Sequence, residues 1–282
     1  MVFADYHVHT QFSPDSAVKM EDMVKRGIEL GLTEMAFTDH VDFDSPGGDF
    51  HTLENYREYY PVFSQLKAKY ASKITLLLGI ENGYQPHVTQ EMSRILQETP
   101  LDFALMSIHA VDNRRCYNPE YQAGVTEETA IHRYLETVLQ AVSEFQNYDS
   151  LAHLTFLARY LNSKSLPYKE HQDYFHEIFS LLIAGGKALE VNTSGYRYGL
   201  SAPIPDWELL EAYYKAGGRL ITLGSDAHKT ADLALDFAQV QKGLAAIGFK
   251  SLATFRARNM ILQPLNGTPR HSNASLVKRM LG

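Results

Sequence analysis

The chain has 282 residues, of which 45% are hydrophobic, and its formal net charge is −7 at pH 7. This length and apolar content suffice for one large core, and an acidic balance without a basic block does not favour a nucleic-acid-binding surface. No stretch approaches the roughly 20 apolar residues of a membrane span, and Asp5 and His7 interrupt the opening run, so we expect neither membrane insertion nor a signal peptide. A single cysteine, Cys116, excludes a disulfide framework within the chain and favours a cytoplasmic location.

Short apolar runs alternate with longer amphipathic ones along the chain. The apolar runs predict strands at about 5–10, 34–38, 74–78, 102–108, 150–152, 188–192 and 219–223. The amphipathic stretches predict helices at about 16–30, 52–69, 88–97, 127–145, 169–184, 206–216 and 231–246, the first capped by Ser16 or a neighbour. Seven such units indicate an α/β fold with a parallel sheet, either closed into a barrel or open and doubly wound. No GxGxxG or GxxxxGK[ST] motif supports a nucleotide-binding fold.

Two histidines, His7 and His9, stand on the first predicted strand. Side chains alternate between the faces of a strand, so these two imidazoles point the same way, about 7 Å apart along the strand. They can bind one metal ion together, or they are ordinary residues of a polar strand face. The rest of the chain has to supply further ligands for the first interpretation to hold.

Further metal-ligating side chains recur where the predicted strands end. They are His40 after the second strand, Glu81 after the third, His109 after the fourth, His153 after the fifth, and Asp226 with His228 after the seventh. Carboxyl ends of parallel strands meet at one rim, and imidazole with carboxylate suits Zn, Mn or Fe. The sequence therefore predicts a multinuclear metal site. The other histidines are expected to be solvated or partly packed: His51, His87, His132, His171, His176 and His271.

Six motifs resemble the polymerase and histidinol phosphatase (PHP) family. They are Asp5-Tyr-His-Val-His-Thr10, Phe37-Thr-Asp-His40, Gly79-Ile-Glu-Asn-Gly83, Ser107-Ile-His109, Leu151-Ala-His153 and Gly224-Ser-Asp-Ala-His228. The run Glu190-Val-Asn-Thr-Ser-Gly195 is similar to that of the stand-alone phosphatases of this family. The resemblance implies a distorted (β/α)7 TIM-like barrel in a single domain. We expect this domain at 1–265, followed by a loosely packed polar tail at 266–282.

The resemblance also implies three divalent metal ions, Zn, Mn or Fe. Their ligands would be His7, His9, Glu81 and Asp226 for the first ion, Glu81, His109 and His153 for the second, and Asp15, His40 and His228 for the third. Glu81 would bridge the first two ions. Some family members have His in place of Asp15, and here the carboxylate supplies a harder oxygen ligand. Asp39 is expected to orient a ligating imidazole.

The implied reaction is hydrolysis of a phosphate monoester by a metal-bridging hydroxide. The first choice of substrate is L-histidinol phosphate, converted to L-histidinol and phosphate in histidine biosynthesis. Arg197 and then Arg159 are the candidates for holding the phosphate, with Ser13 and Ser225 as weaker donors, and Asp42 is the candidate general acid. Acidic and aromatic residues suit the ammonium and imidazole of this substrate: Asp42, Asp44, Phe12, Tyr117, Tyr196, Tyr198 and Trp207.

Other functions stay open from the sequence. The chain could be a PHP phosphoesterase for a nucleotide, a sugar phosphate or a phosphotyrosine protein. A polymerase-associated exonuclease module is opposed by the acidic balance and by the absence of a polymerase region. A non-catalytic protein would hold its metal in a coordinatively closed, structural site. Cys116 as a nucleophile has only the weak support of its polar surroundings, and the oligomeric state is not indicated.

Overall fold

The structure is a computed structural model that describes residues 4–46 and 53–265, with only the backbone described at 53–56. The strands in these ranges are β1 (Ala4–Val8), β2 (Glu34–Phe37), β3 (His40–Val41), β4 (Thr75–Gly83), β5 (Phe103–Ser107), β6 (Ala110–Val111), β7 (Arg114–Arg115), β8 (Ser150–Leu151), β9 (Ala188–Asn192), β10 (Ile221–Gly224), β11 (Ser251–Arg256) and β12 (Asn259–Pro264). The helices are α1 (Met20–Glu29), α2 (Leu53–Tyr70), α3 (Thr89–Glu98), α4 (Pro119–Gln122), α5 (Glu127–Glu144), α6 (Gln172–Ala184), α7 (Trp207–Lys215) and α8 (Phe237–Ile247). The predicted tail at 266–282, with His271, and the loop residue His51 lie outside the described residues.

Seven parallel strands form the central sheet in the order β1, β2, β4, β5, β8, β9, β10, with β3 pairing beside β4. The two ends of this sheet meet, because the Asp226 backbone N–H donates to the His7 carbonyl at 2.8 Å and His9 N–H donates to the Ala227 carbonyl at 3.0 Å. The sheet is thereby nearly closed into a barrel rather than open and doubly wound. The predicted seven-unit α/β barrel is confirmed.

The barrel strands β1, β2, β5, β9 and β10 are buried along their whole length, as expected for a parallel sheet covered by helices. The longer helices bury apolar residues in the core, and two of the described helices have side-chain caps at their N-termini. Thr126 accepts from Thr129 N–H at the start of α5, and Asp206 accepts from Leu209 N–H at the start of α7. None of the helices among the described residues is long and apolar enough to cross a membrane.

Two predicted helix starts are wrong. Ser16 does not cap α1, which begins at Met20, because the Ser16 hydroxyl donates instead to the His228 carbonyl at 3.1 Å. Helix α8 begins at Phe237, six residues later than predicted. The chain before it is held by the buried Asp5 carboxylate, which accepts from the Ala234 N–H at 3.0 Å. In both places a long-range hydrogen bond holds the chain in a loop that the helical pattern alone does not reveal.

The weakly patterned C-terminal stretch forms a hairpin, β11–β12, that the sequence did not predict. Phe255 is 2% exposed, and its ring lies 5.0 Å from that of Phe103 and 6.3 Å from that of Tyr6. The Arg258 backbone N–H donates to the carbonyl of Asp102, just before β5, at 3.0 Å. The hairpin therefore closes the amino-terminal end of the barrel, opposite to the rim where the strands end.

We predict that Phe255→Ala lowers the free energy of unfolding by about 3–5 kcal/mol, because it removes a buried ring and leaves a cavity. Urea unfolding followed by circular dichroism measures this change. The control is Leu262→Ala in the same hairpin, where the side chain is 54% exposed and the change stays within about 0.5 kcal/mol. Equal effects of the two substitutions would contradict the role of Phe255 as the hairpin's anchor.

Candidate metal centre

The structure brings all nine predicted metal ligands together at the carboxyl end of the barrel. Each lies on a barrel strand or in the loop that follows one: His7, His9, Asp15, His40, Glu81, His109, His153, Asp226 and His228. Strand β4 extends further than predicted, to Gly83, so Glu81 stands inside a strand instead of after it. Its parallel register with β3 places His40 directly opposite Glu81.

Glu81 lies at the centre of the cluster and is 1% exposed. Its Oε2 atom lies 3.2 Å from His7 Nε2, 3.4 Å from His9 Nε2 and 3.0 Å from His40 Nδ1. This oxygen nevertheless accepts no hydrogen bond. This oxygen is buried among imidazole nitrogens and accepts no hydrogen bond, which is the environment expected of a metal-ligating oxygen.

The second oxygen of Glu81 faces a different pair of imidazoles. Its Oε1 atom lies 2.8 Å from His153 Nε2 and 3.2 Å from His109 Nε2. One carboxylate thus presents one oxygen to each of two ligand groups. The donor set, imidazole nitrogens and carboxylate oxygens without thiolates, fits a pair of divalent ions joined by Glu81.

A third group lies on the outer side of His9. The Asp15 Oδ2 atom is 3.1 Å from His228 Nε2 and 3.4 Å from His40 Nε2. His9, His40 and His228 each offer a ring nitrogen, and one such nitrogen from each lies within 4.8 Å of the others. The ring nitrogens of His7 and His9 and an oxygen of Asp226 form a second group with the same spacing. His9 therefore lies between two ligand groups, which the assignment from the sequence did not anticipate.

The electrostatics of this cluster favour positive charge. Burial opposes the charged form of His7, but the carboxylates of Glu190, Glu81 and Asp226 outweigh it and raise its pKa well above the usual range. Burial would likewise raise the pKa of Glu81, but the surrounding imidazoles hold it well below its usual range. A desolvated space with several ionised carboxylates needs cations for its stability, and divalent ions supply them compactly.

Glu190, in the middle of β9, is a functional residue that the sequence reasoning missed. Its Oε1 atom accepts from His7 Nδ1 at 2.6 Å, and its Oε2 atom accepts from the His153 backbone N–H at 2.7 Å. This contact fixes the His7 ring so that Nε2 faces Glu81. Gly224 on β10 leaves room for the Glu190 carboxylate, because a Cβ at position 224 would lie 2.3 Å from Glu190 Oε1. The sequence feature that could have identified Glu190 is an acidic residue within the apolar run Ala188-Leu-Glu-Val-Asn192.

A second carboxylate orients His9 through a hydroxyl. The Ser13 hydroxyl donates to Asp39 Oδ1 at 2.7 Å and lies 2.9 Å from His9 Nδ1. Asp39 also accepts from the backbone and the hydroxyl of Thr10. Ser13 is 2% exposed, and its hydroxyl is engaged in this chain of contacts. Its role as a phosphate donor stays a prediction, and the contacts in the structure fit a positioning role.

Asp42 makes the equivalent contact with His109. Its Oδ2 atom lies 3.0 Å from His109 Nδ1, so that Nε2 of the ring faces Glu81. Burial lowers the pKa of His109, but Asp42 and Glu81 outweigh this effect and raise it to about 9. Gly83 makes room for Asp42, because a Cβ at Gly83 would lie 2.1 Å from Asp42 Oδ1. Asp42 also borders the cavity above the cluster, as its predicted role of general acid requires.

Above the ligands lies a cavity of about 550 Å³. Among its lining residues are two arginines that the sequence singled out. Arg197 donates from NH2 to the carbonyls of Ser225 and Asp226, both at 2.9 Å, while its buried NH1 donates to no residue. Arg159 donates to Asp226 Oδ2 at 2.7 Å, and its buried Nε has no acceptor. Each arginine is thus held in place by the protein at the border of the cavity.

The remaining predicted side chains divide between the cavity and other places. Tyr117 and Tyr198 line the cavity, together with Phe156 and Tyr160, which the sequence reasoning had not named. Ser225 and four of the acidic and aromatic candidates are absent from its lining: Phe12, Asp44, Tyr196 and Trp207. Cys116 is fully buried and burial raises the pKa of its thiol, and both observations oppose the interpretation of this cysteine as a nucleophile.

Comparisons with known proteins agree with this geometry. The family model of the PHP domain matches residues 5–194. A histidinol-phosphatase of Lactococcus lactis is 34% identical over 254 residues, which cover 89% of this chain and 93% of that protein. A crystal structure of histidinol phosphate phosphatase from L. lactis, complexed with zinc, L-histidinol and phosphate, has a TM-score of 0.86 at 33% identity and covers 92% of this chain and 98% of that one. A structure from Listeria monocytogenes shares the fold, with a TM-score of 0.75 at 21% identity, covering 84% of this chain and 99% of that one.

Proposed function

Because the chain belongs to the PHP domain family, we propose that it is a metal-dependent histidinol-phosphatase, which hydrolyses L-histidinol phosphate to L-histidinol and inorganic phosphate. The observation that carries this proposal is the buried Glu81 carboxylate, which offers its two oxygens to two groups of imidazoles beneath the cavity. The L. lactis structure with zinc, L-histidinol and phosphate supports the choice of metal and of substrate.

We assign three divalent ions to the centre, with zinc as the first choice. Their ligands are His7, His9, Glu81 and Asp226, then Glu81, His109 and His153, and finally Asp15, His40 and His228. When bound, such ions lower the pKa of a coordinated water to about 7 and neutralise the negative charge of a phosphate. The protein's own contribution is to hold the imidazoles in place through Glu190, Asp42 and the Ser13–Asp39 pair.

The phosphate is held by Arg197 and Arg159. Both border the cavity, and hydrogen bonds to Ser225 and Asp226 hold their guanidinium groups in place. Arg115 and Lys229 also line this space, so four cationic side chains border the cavity beside its five carboxylates. This arrangement suits a small dianionic group and supports a phosphate ester as the substrate.

The leaving alkoxide needs a proton, and we keep Asp42 as its donor because this residue borders the cavity. Its contact with His109 gives the same side chain a positioning role. The organic part of the substrate lies against Tyr117, Phe156 and Tyr198, whose rings suit an imidazole and an ammonium group. We further propose a single barrel domain at 1–265 and a cytoplasmic location, which rests on the lone cysteine.

The metal-loaded protein is expected to hydrolyse histidinol phosphate with a higher kcat/KM than other phosphate monoesters. The measurement is phosphate release from a panel of a nucleotide, a sugar phosphate, a phosphotyrosine peptide and histidinol phosphate, with degradation of single-stranded DNA as a separate assay. No preference for histidinol phosphate would transfer the assignment to another PHP phosphoesterase. If no ester were hydrolysed while chelation unfolded the protein, the metal would be structural.

Glu81→Ala is expected to remove the two ions that this carboxylate joins and nearly all activity, because one side chain serves both. Metal content per chain, measured by mass spectrometry after dialysis, checks the first effect, and circular dichroism checks that the variant folds. Glu211→Ala, on the exposed face of α7, is the control and retains both metal and activity. Full metal content in the Glu81 variant would contradict the bridging role.

Arg197→Ala is expected to raise KM by about ten- to a hundredfold, since a hydrogen bond to a charged group contributes about 1.5–3 kcal/mol. Steady-state kinetics with histidinol phosphate measure this change. Arg94→Ala, an exposed arginine on α3, serves as the matched control with unchanged kinetics. If Arg197→Ala also left kcat and KM unaltered, Arg197 would have no place in the phosphate site.

A further inference from the structure

A second cluster of metal-ligating side chains lies outside the barrel centre, between two helices. Glu128 and His132 stand one turn apart on the same face of α5, and His171 immediately precedes α6. The Oε1 atom of Glu128 lies 2.6 Å from His132 Nε2, and its Oε2 atom lies 3.9 Å from His171 Nε2. One donor atom from each of the three residues lies within 4.8 Å of the others.

His171 is the unusual member of this cluster. Its side chain is 0% exposed, yet neither ring nitrogen has a hydrogen-bond partner. The residue occupies the N-cap position of α6, where Ser, Thr, Asp or Asn would be preferred, and its side chain makes no capping bond. A buried imidazole without a partner is unfavourable, and neither capping nor hydrogen bonding explains its presence here.

His132 is oriented by residues outside the cluster. The hydroxyl of Tyr174 donates to Glu136 Oε1 at 3.2 Å and lies 3.4 Å from His132 Nδ1. The Glu136 carboxylate thus orients the His132 ring through the Tyr174 hydroxyl at Nδ1, so that Nε2 of His132 faces Glu128. Orientation of a ligating imidazole through its other nitrogen is typical of metal sites.

We propose that Glu128, His132 and His171 bind one divalent ion of the zinc class, with water completing the coordination. Zinc bonds to nitrogen and oxygen of about 2.0–2.2 Å place tetrahedral ligands about 3.3 Å apart. The donor separations of 2.6 and 3.9 Å lie on either side of this value, so side-chain rotations have to lengthen the first and shorten the second. Glu128 is 56% exposed, which leaves access for the ion and for water.

Such an ion ties the start of α5 to the start of α6. The chain between these points includes β8, His153 and Arg159. The neighbouring Glu127 already fixes part of this segment, because its carboxylate accepts from the backbone N–H groups of Asn162 and Ser163. The ion therefore stabilises the segment that carries one of the two cavity arginines, without contacting the barrel centre.

The test compares zinc content in the metal-loaded protein and in two variants of the exposed ligands, Glu128→Gln and His132→Gln. After dialysis against buffered micromolar free zinc, the unaltered protein is expected to hold one zinc ion more per chain than either variant, by mass spectrometry. Zinc also raises the melting temperature of the unaltered protein more than that of the variants. Hydrolysis of phosphate esters stays unchanged, because neither residue lies at the barrel centre.

His176→Gln, on α6, is the matched control and retains the additional ion, since this histidine contacts Tyr168 and lies outside the cluster. Circular dichroism verifies that all variants fold. Equal zinc content in the unaltered protein and both ligand variants would overturn the proposal, and so would an additional ion that binds only at millimolar zinc. Loss of the additional ion in the His176 variant as well would show a general effect of removing histidines and would equally overturn it.

Discussion

The burial of the Glu81 carboxylate among five imidazoles is the constraint on which the rest of the rim depends. A carboxylate that is 1% exposed is stable only if opposite charge reaches both of its oxygens. The barrel meets this requirement by placing β1, β3, β5 and β8 so that the histidines on them or just after them converge on Glu81 of β4. Parallel strands are suited to this task, because all of them end at the same rim.

A layer of carboxylates behind the imidazoles determines their orientation. Glu190 contacts His7, Asp42 contacts His109, and Asp39 reaches His9 through Ser13. Two of these contacts need close approach that only glycine allows, at Gly224 and Gly83. Contacts within the fold therefore hold the ligands in position, which limits the conformational entropy lost on metal binding.

The contacts that close the barrel also bring ligands of the site together. Backbone bonds between β1 and the residues after β10 join the two ends of the sheet, and the same contacts bring Asp226 beside His7 and His9. The buried Asp5 carboxylate accepts from the backbone of Ser225 and Ala234, which holds the loop after β10 against β1. At the opposite end, Phe255 and its hairpin cover the apolar interior. Stability and ligand placement thus depend on the same contacts.

Asp15 was assigned from the family resemblance, whereas the residue pattern alone predicted the seven βα units and the eight other candidate ligands on or just after the strands. Both follow from short-range regularities, namely alternating apolar runs and the position of polar residues just after them, as in Phe37-Thr-Asp-His40. Sequence reasoning failed where a contact spans the chain. Glu190 and His7 are 183 residues apart, and Ser16, expected to cap a helix, instead donates to a carbonyl 212 residues away.

Which polar side chains surround the ligands, and which border the cavity, depends on how distant elements pack. Ser13 and Asp42 illustrate this, because their neighbours His9 and His109 are brought to them by the fold. The same is true of His171, whose burial beside α5 no local pattern indicates. Periodicity reports the direction in which a side chain points along its own element. The partner that it meets there depends on the packing of distant elements, for which a single sequence contains no local signal.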